Sequence, residues 1–238
     1  MLMAAVVAGV VGLFLASVLW RLARRQALRK PLFAGRESES LAAWLPLWGL
    51  GQSRIEAETG EERRPWQAVF EVATAAYFAV LGWRFGFSID LLMVVCFSIP
   101  LLVIGLVDFW TRLIHTNVIF LGVALGWVFA VLDGGRGLLD SVIGMAVGGA
   151  VFIFFFLAAI LIYRNIRVVP FGLGDVYLAA MIGAMVRIDR VMQALLIGIF
   201  LAGIILAALL AARVLSRKQA VAYGPYLCLG ALITLMLK

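Results

Sequence analysis

The sequence predicts an all-α polytopic membrane protein of about eight transmembrane helices with both termini outside. Three observations carry that prediction. The 238 residues are 65% hydrophobic and 14% charged, with a mean hydropathy of +1.09, whereas a soluble domain keeps roughly a quarter of its residues charged. Apolar runs near the roughly 20 residues needed to cross a bilayer as helix recur along the whole chain. The Lys and Arg residues cluster in the short segments between those runs, which is how membrane topology is encoded.

The first run, Met1–Trp20, is uncharged and is followed by Arg21, Arg24, Arg25, Arg29 and Lys30. A secretory signal carries its positive charge ahead of its apolar core. The reversed polarity here predicts an uncleaved span with its N-terminus outside. Residues 1–21 are therefore the first span, 22–66 a cytoplasmic loop or small subdomain, and 67–238 a seven-span core. The stretch 31–66 is the one long polar segment, with Glu37, Glu39, Glu56, Glu58, Glu61 and Glu62 among arginines. The later spans are expected at Ala68–Trp83 (with Glu71 in its first turn), Leu91–Val107, His115–Leu132, Leu139–Tyr163, within Val168–Val186, Val191–Ala212 and Val221–Leu237. Pro100 is expected to kink the third.

Placing the 21–30 cluster inside and alternating sides puts 15 Lys and Arg on the inner face and 5 on the outer, the asymmetry of cytoplasmic loops. The net charge of +7 would suggest nucleic acid for a soluble protein. Its confinement to span boundaries points to the lipid bilayer instead, with no nucleic-acid partner. Cys96 and Cys228 each lie inside an apolar run and no CxxC pair exists, so neither a disulfide framework nor a metal site is expected.

Carboxylates at membrane depth are costly and usually functional. Of the aspartates, the topology sends Asp90, Asp133, Asp140 and Asp189 to the outer boundary and leaves Asp108 and Asp175 at the inner one, each against an apolar run. Asp175 is the sole charge between Arg167 and Arg187, preceded by Pro170, Gly172 and Gly174. Those residues resist regular helix, which predicts an irregular lead-in and a short helix from Val176. Irregular backbone at such depth survives where protein or a water-filled cavity surrounds it, and glycines permit close approach. Simpler readings stand beside this one. Asp175 could cap its helix, and Asp108 could pair with Arg112 four residues on. His115, the single histidine, suits a span boundary as well as a general base.

Gly172-Leu173-Gly174-Asp175, followed by Leu178, Ala179, Ala180 and Gly183, resembles the GxGD segment of type IV prepilin peptidases. Val107-Asp108 with Arg112, Leu113 and Ile114 resembles that family's other aspartate motif. The likeness extends to Gly12-Leu13-Phe14-Leu15 through Trp20-Arg21-Leu22, to Glu71 with Thr74, and to Tyr223-Gly224-Pro225-Tyr226 with Leu229-Gly230. It implies an intramembrane aspartic endopeptidase of the bacterial cytoplasmic membrane. Asp108 and Asp175 would be catalytic, with Gly172 and Gly174 shaping the substrate's approach. The implied partner is a prepilin or pseudopilin carrying a short basic leader, for a type IV pilus or a secretion system. The implied proteolysis uses no cofactor. Many members also N-methylate the product with S-adenosylmethionine. Here the two CxxC pairs of the first loop are absent and Ala16 replaces a usual asparagine, while His115 and Tyr177 replace a usual proline and lysine.

Helix ends suggest how the two acids divide the work. Asp175 begins a helix, where the macrodipole favours negative charge, and Asp108 ends one. Asp175 is therefore expected as the base and Asp108 as the acid. The residues leave open a carboxylate-based ion- or proton-coupled transporter, for which midplane sites and repeated halves are expected, and a catalytically inactive scaffold relative.

Overall fold

The computed structural model describes residues 1–27, 65–162, 172–213 and 222–238. Among them are seven helices and no strand: α1 (Leu2–Ala27), α2 (Pro65–Phe85), α3 (Ile89–Thr111), α4 (Thr116–Leu132), α5 (Gly137–Ile162), α6 (Leu173–Ala211) and α7 (Gly224–Met236). α1, α2, α3, α5 and α6 are long and apolar enough to cross a membrane, and α4 and α7 are shorter apolar helices. This is a multi-pass membrane protein. The described residues form two compact units, Met1–Val95 and Cys96–Lys238. The loop glutamates from Glu37 to Glu62, and Arg164, Arg167, Pro170, Arg217 and Lys218, lie outside the described residues.

In the first unit α1 packs on α2 through small residues. Ala4, Ala8, Gly12 and Ala16 recur every fourth position and are all buried, so they form one stripe of the helix. A Cβ on Gly12 would meet the Phe78 side chain at 2.7 Å, and one on Gly82 would meet Ala8 Cβ at 2.7 Å. With lipid as apolar as leucine, such close backbone approach replaces hydrophobic driving force. Glu71 is only 2% exposed and accepts a hydrogen bond from Gln67 Nε2 at 2.9 Å. It was expected in the first turn. Because α2 starts at Pro65, it lies beyond that turn, on a buried face.

In the second unit the organising element is α6. Arg187 interrupts it with φ 65° and ψ 177°, and the neighbours on α5 show what that break does. Ser141 Oγ donates to Ala184 O at 2.6 Å. Gly144 lies against Gly183 and Ile188, and Gly148 against Ala179 and Val191. Moving along α5, the contacts descend through 184, 183 and 179 and ascend through 188 and 191. The chain therefore reverses at Arg187, giving arms 173–186 and 188–211. The first arm buries Val176, Leu178, Ala179 and 181–186 in sequence. Being apolar all round, it sits at the centre of its unit. α4 covers it through Gly122 against Met181 and Gly126 against Ala184, while the second arm meets α7 where Gly198 lies against Leu227 and Gly230 against Ala194. Arg187 Nη1 donates to Asp133 Oδ2 at 2.5 Å, tying the reversal to the end of α4.

Candidate active site

Asp108 lies in the last turn of α3. Helix termination there is local: Arg112 N donates to Asp108 O at 2.9 Å, and Arg112 takes φ 53°, the left-handed conformation of many helix ends. Thr111 Oγ1 donates to Val107 O at 2.8 Å and receives Leu113 N at 3.3 Å. The short link to α4 then passes Ile114 and His115. The simpler alternative, an Asp108–Arg112 ion pair, does not occur among the described residues, and Arg112 is exposed. Asp108 itself is 4% exposed.

Asp175 is 9% exposed in the first turn of α6. The helix begins at Leu173 with Gly172 as its N-cap, three residues earlier than the Val176 start the sequence suggested. Asp175 is thus the third helical residue and not the cap. Its Oδ2 accepts from Gly172 N at 3.0 Å while its own N–H donates to Gly172 O at 3.1 Å. This reciprocal pair satisfies one of the donors that a helix start leaves open, so the capping interpretation holds in part. Gly172 is extended (φ −100°, ψ 160°), a conformation open to any residue, and a Cβ there would meet Asp175 Oδ2 at an ordinary 3.9 Å. Gly174 has a steric reason: a Cβ would stand 3.3 Å from Ile114 Cβ and Cδ1. Its bare Cα lets the start of α6 settle against the α3–α4 link, next to the end of α3 that carries Asp108.

The helix start that carries Asp175 therefore meets the link that follows the helix end carrying Asp108. Two further residues complete the surroundings. A Cβ on Gly224 would stand 2.5 Å from Asp108 Oδ2, and Gly105 lies beside Cys228 and Pro225. The Tyr223–Tyr226 segment has no role readable from sequence beyond the family resemblance; its one signal is a Gly-Pro pair opening an apolar run. α7 also changes the argument from helix ends, because Asp108 closes α3 but faces the start of α7. Asp175 thus lies at a helix N-terminus and Asp108 faces one from the C-terminus of α3, so dipoles no longer separate base from acid. His115 is exposed in the N-cap position of α4 and caps nothing with its ring, as a boundary residue would. No cluster of His, Cys, Asp and Glu able to hold a metal occurs among the described residues.

Residues 95–207, which contain both aspartates, match the family model of the type IV leader peptidase family. The chain is also 27% identical over 170 residues to a Pseudomonas putida protein named prepilin leader peptidase/N-methyltransferase. That alignment covers 70% of this chain and 57% of the relative, so the chain spans little more than half the length of the curated relative it matches. No solved structure matches it. Through the segment that carries Asp108 and Asp175, this chain is similar to the type IV leader peptidase family.

Proposed function

We propose that the protein is an intramembrane aspartic endopeptidase that removes short basic leaders from prepilin- or pseudopilin-like substrates at the cytoplasmic face of the bacterial inner membrane. What supports this reading is that two buried carboxyls, Asp108 and Asp175, belong to the end of α3 and the start of α6, and that start packs through Gly174 on Ile114 of the link after α3. One carboxylate takes a proton from water as the hydroxyl oxygen adds to the carbonyl carbon before the cut. The other carboxyl gives its proton to the departing amide nitrogen as the C–N bond breaks. Like charges at short range do not both ionise cheaply, so the pair shares a proton and serves both roles. The residues that do this are side chains of the chain itself, and the step calls for no cofactor.

Eight spans with both termini outside is the topology this reading uses. The reversal at Arg187 supports it by splitting α6 into two antiparallel arms. The aspartates then lie at the cytoplasmic rim, where a basic leader arrives from water while the substrate's apolar helix stays in lipid. A pair at the helix ends, away from the midplane, favours hydrolysis over transport. N-methylation stays outside the proposal, since the first loop has no cysteine and Ala16 stands at the asparagine position.

Co-expression with a prepilin-like substrate tests the reading. Leader removal is expected from the wild type and is expected to fall at least about 10²-fold in Asp108→Asn and in Asp175→Asn, the scale of general acid–base catalysis. Cleavage that survives both substitutions refutes it.

A further inference from the structure

We propose that Gly224 is a positioning residue for the Asp108 carboxyl, its missing side chain admitting Oδ2 and its N–H facing the acid at the start of α7. The inference rests on the protease reading and deepens it. A Cβ at Gly224 would lie 2.5 Å from Oδ2, 3.0 Å from Cγ and 3.4 Å from Cβ of Asp108. Real Cβ atoms do not approach so closely, and the neighbour here is a short, buried side chain with no flexible end to swing away. Any larger residue therefore moves the acid.

The backbone of the same turn points the same way. Pro225 has no N–H, and Tyr226 N and Leu227 N both donate back to Tyr223 O, at 3.1 and 3.2 Å. The Gly224 N–H is then a donor of the α7 terminus right beside Asp108, with the positive end of the helix dipole behind it. Oδ2 is wholly buried and has no hydrogen-bond partner of full geometry among those residues, an arrangement that folding alone does not favour. A lone pair left in that state stays available for the proton the reaction exchanges. Gly105 on α3 lies 3.7 Å (as Cβ) from Pro225 Cα, so glycines on both helices let the two backbones close at this point.

The test uses the full chain in detergent or liposomes with a synthetic substrate of basic leader, glycine and apolar segment. Gly224→Ala is expected to lower kcat about 10²-fold, the scale of an ångström's misplacement of a catalytic group, with KM within about twofold. A helix that merely supported the fold would not split the two constants so. Gly203→Ala, where an added Cβ meets nothing within 4 Å, serves as the control and is expected to cleave like wild type. If Gly224→Ala lowers the melting temperature instead, Asp108→Ala in the same chain is expected to restore it, because removing the carboxyl makes room for the new Cβ. Unchanged kcat in Gly224→Ala overturns the proposal, and so does a melting temperature that the second substitution fails to restore. If Asp108→Ala and Asp175→Ala both still cleave, the protease reading has failed, and the fate of Gly224→Ala does not enter.

Discussion

Arg187 holds φ 65° and ψ 177° where α6 reverses, a region used almost only by glycine, and such strain costs about 1–3 kcal/mol. What the side chain returns is an ion pair with Asp133, whose partners are 22% and 59% exposed. At that exposure the pair contributes about 0.2–1 kcal/mol. Two substitutions separate these effects. Arg187→Ala loses the pair and keeps the strain, so it is expected to destabilise by about 0.2–1 kcal/mol. Arg187→Gly also loses the pair but releases about 1–3 kcal/mol, against about 0.4–1 kcal/mol for the freer unfolded chain. The glycine variant is therefore expected to exceed the alanine variant by about 1 kcal/mol, and to equal or slightly exceed wild type. Unfolding of the purified protein in mixed micelles by increasing SDS would measure the three proteins together. An alanine variant as stable as the glycine variant would show that the reversal stores no strain and that the argument from its dihedral angles is wrong.

The Arg187 guanidinium also holds the Asp133 carboxyl below its ordinary range, through a hydrogen bond first and its charge second. A depressed folded value means that the stabilisation is present at neutral pH and is lost as the pH falls through that value, below about 4. Asp133→Asn is thus expected to weaken the protein slightly at pH 7, and the gap from wild type should close under acid in the same SDS titration. At the crossing of α5 with the first arm, a Cβ on Gly183 would meet the Gly144 backbone, with Gly144 C at 2.5 Å. Gly183→Ala is expected to cost about 1–3 kcal/mol, since backbone cannot step aside. Gly149→Ala, whose new atom would find Ala180 Cβ at 3.5 Å, is expected to be neutral or mildly favourable. Equal melting temperatures for these two variants would contradict the packing described.

Much of the fold is legible in the sequence. The apolar runs located most of the described helices to within a few residues, because a bilayer leaves a spanning segment little choice but helix, although α1 continues to Ala27 and two expected spans form the single element Leu173–Ala211. Asp108 and Asp175 stood out because charge is rare in such segments. Other readings failed for physical reasons. Gly174 was expected to break regular helix, yet α6 starts at Leu173, since one glycine in a first turn costs little when Ile114 packs against it. The Asp108–Arg112 spacing suited an ion pair, but the left-handed turn at Arg112 carries its side chain into the open and ends the helical register on which the pairing depends.

The sequence by itself determined the solvent and the helical class and singled out two acids as candidates, since each follows from composition and from the cost of charge in hydrocarbon. Only the tertiary structure decided what those acids face. The burial of Oδ2 against a bare glycine of α7, the reversal at Arg187 and the packing of Gly174 on Ile114 depend on contacts between distant segments. Small residues permit such approaches along many faces of many helices, and packing selects one of them.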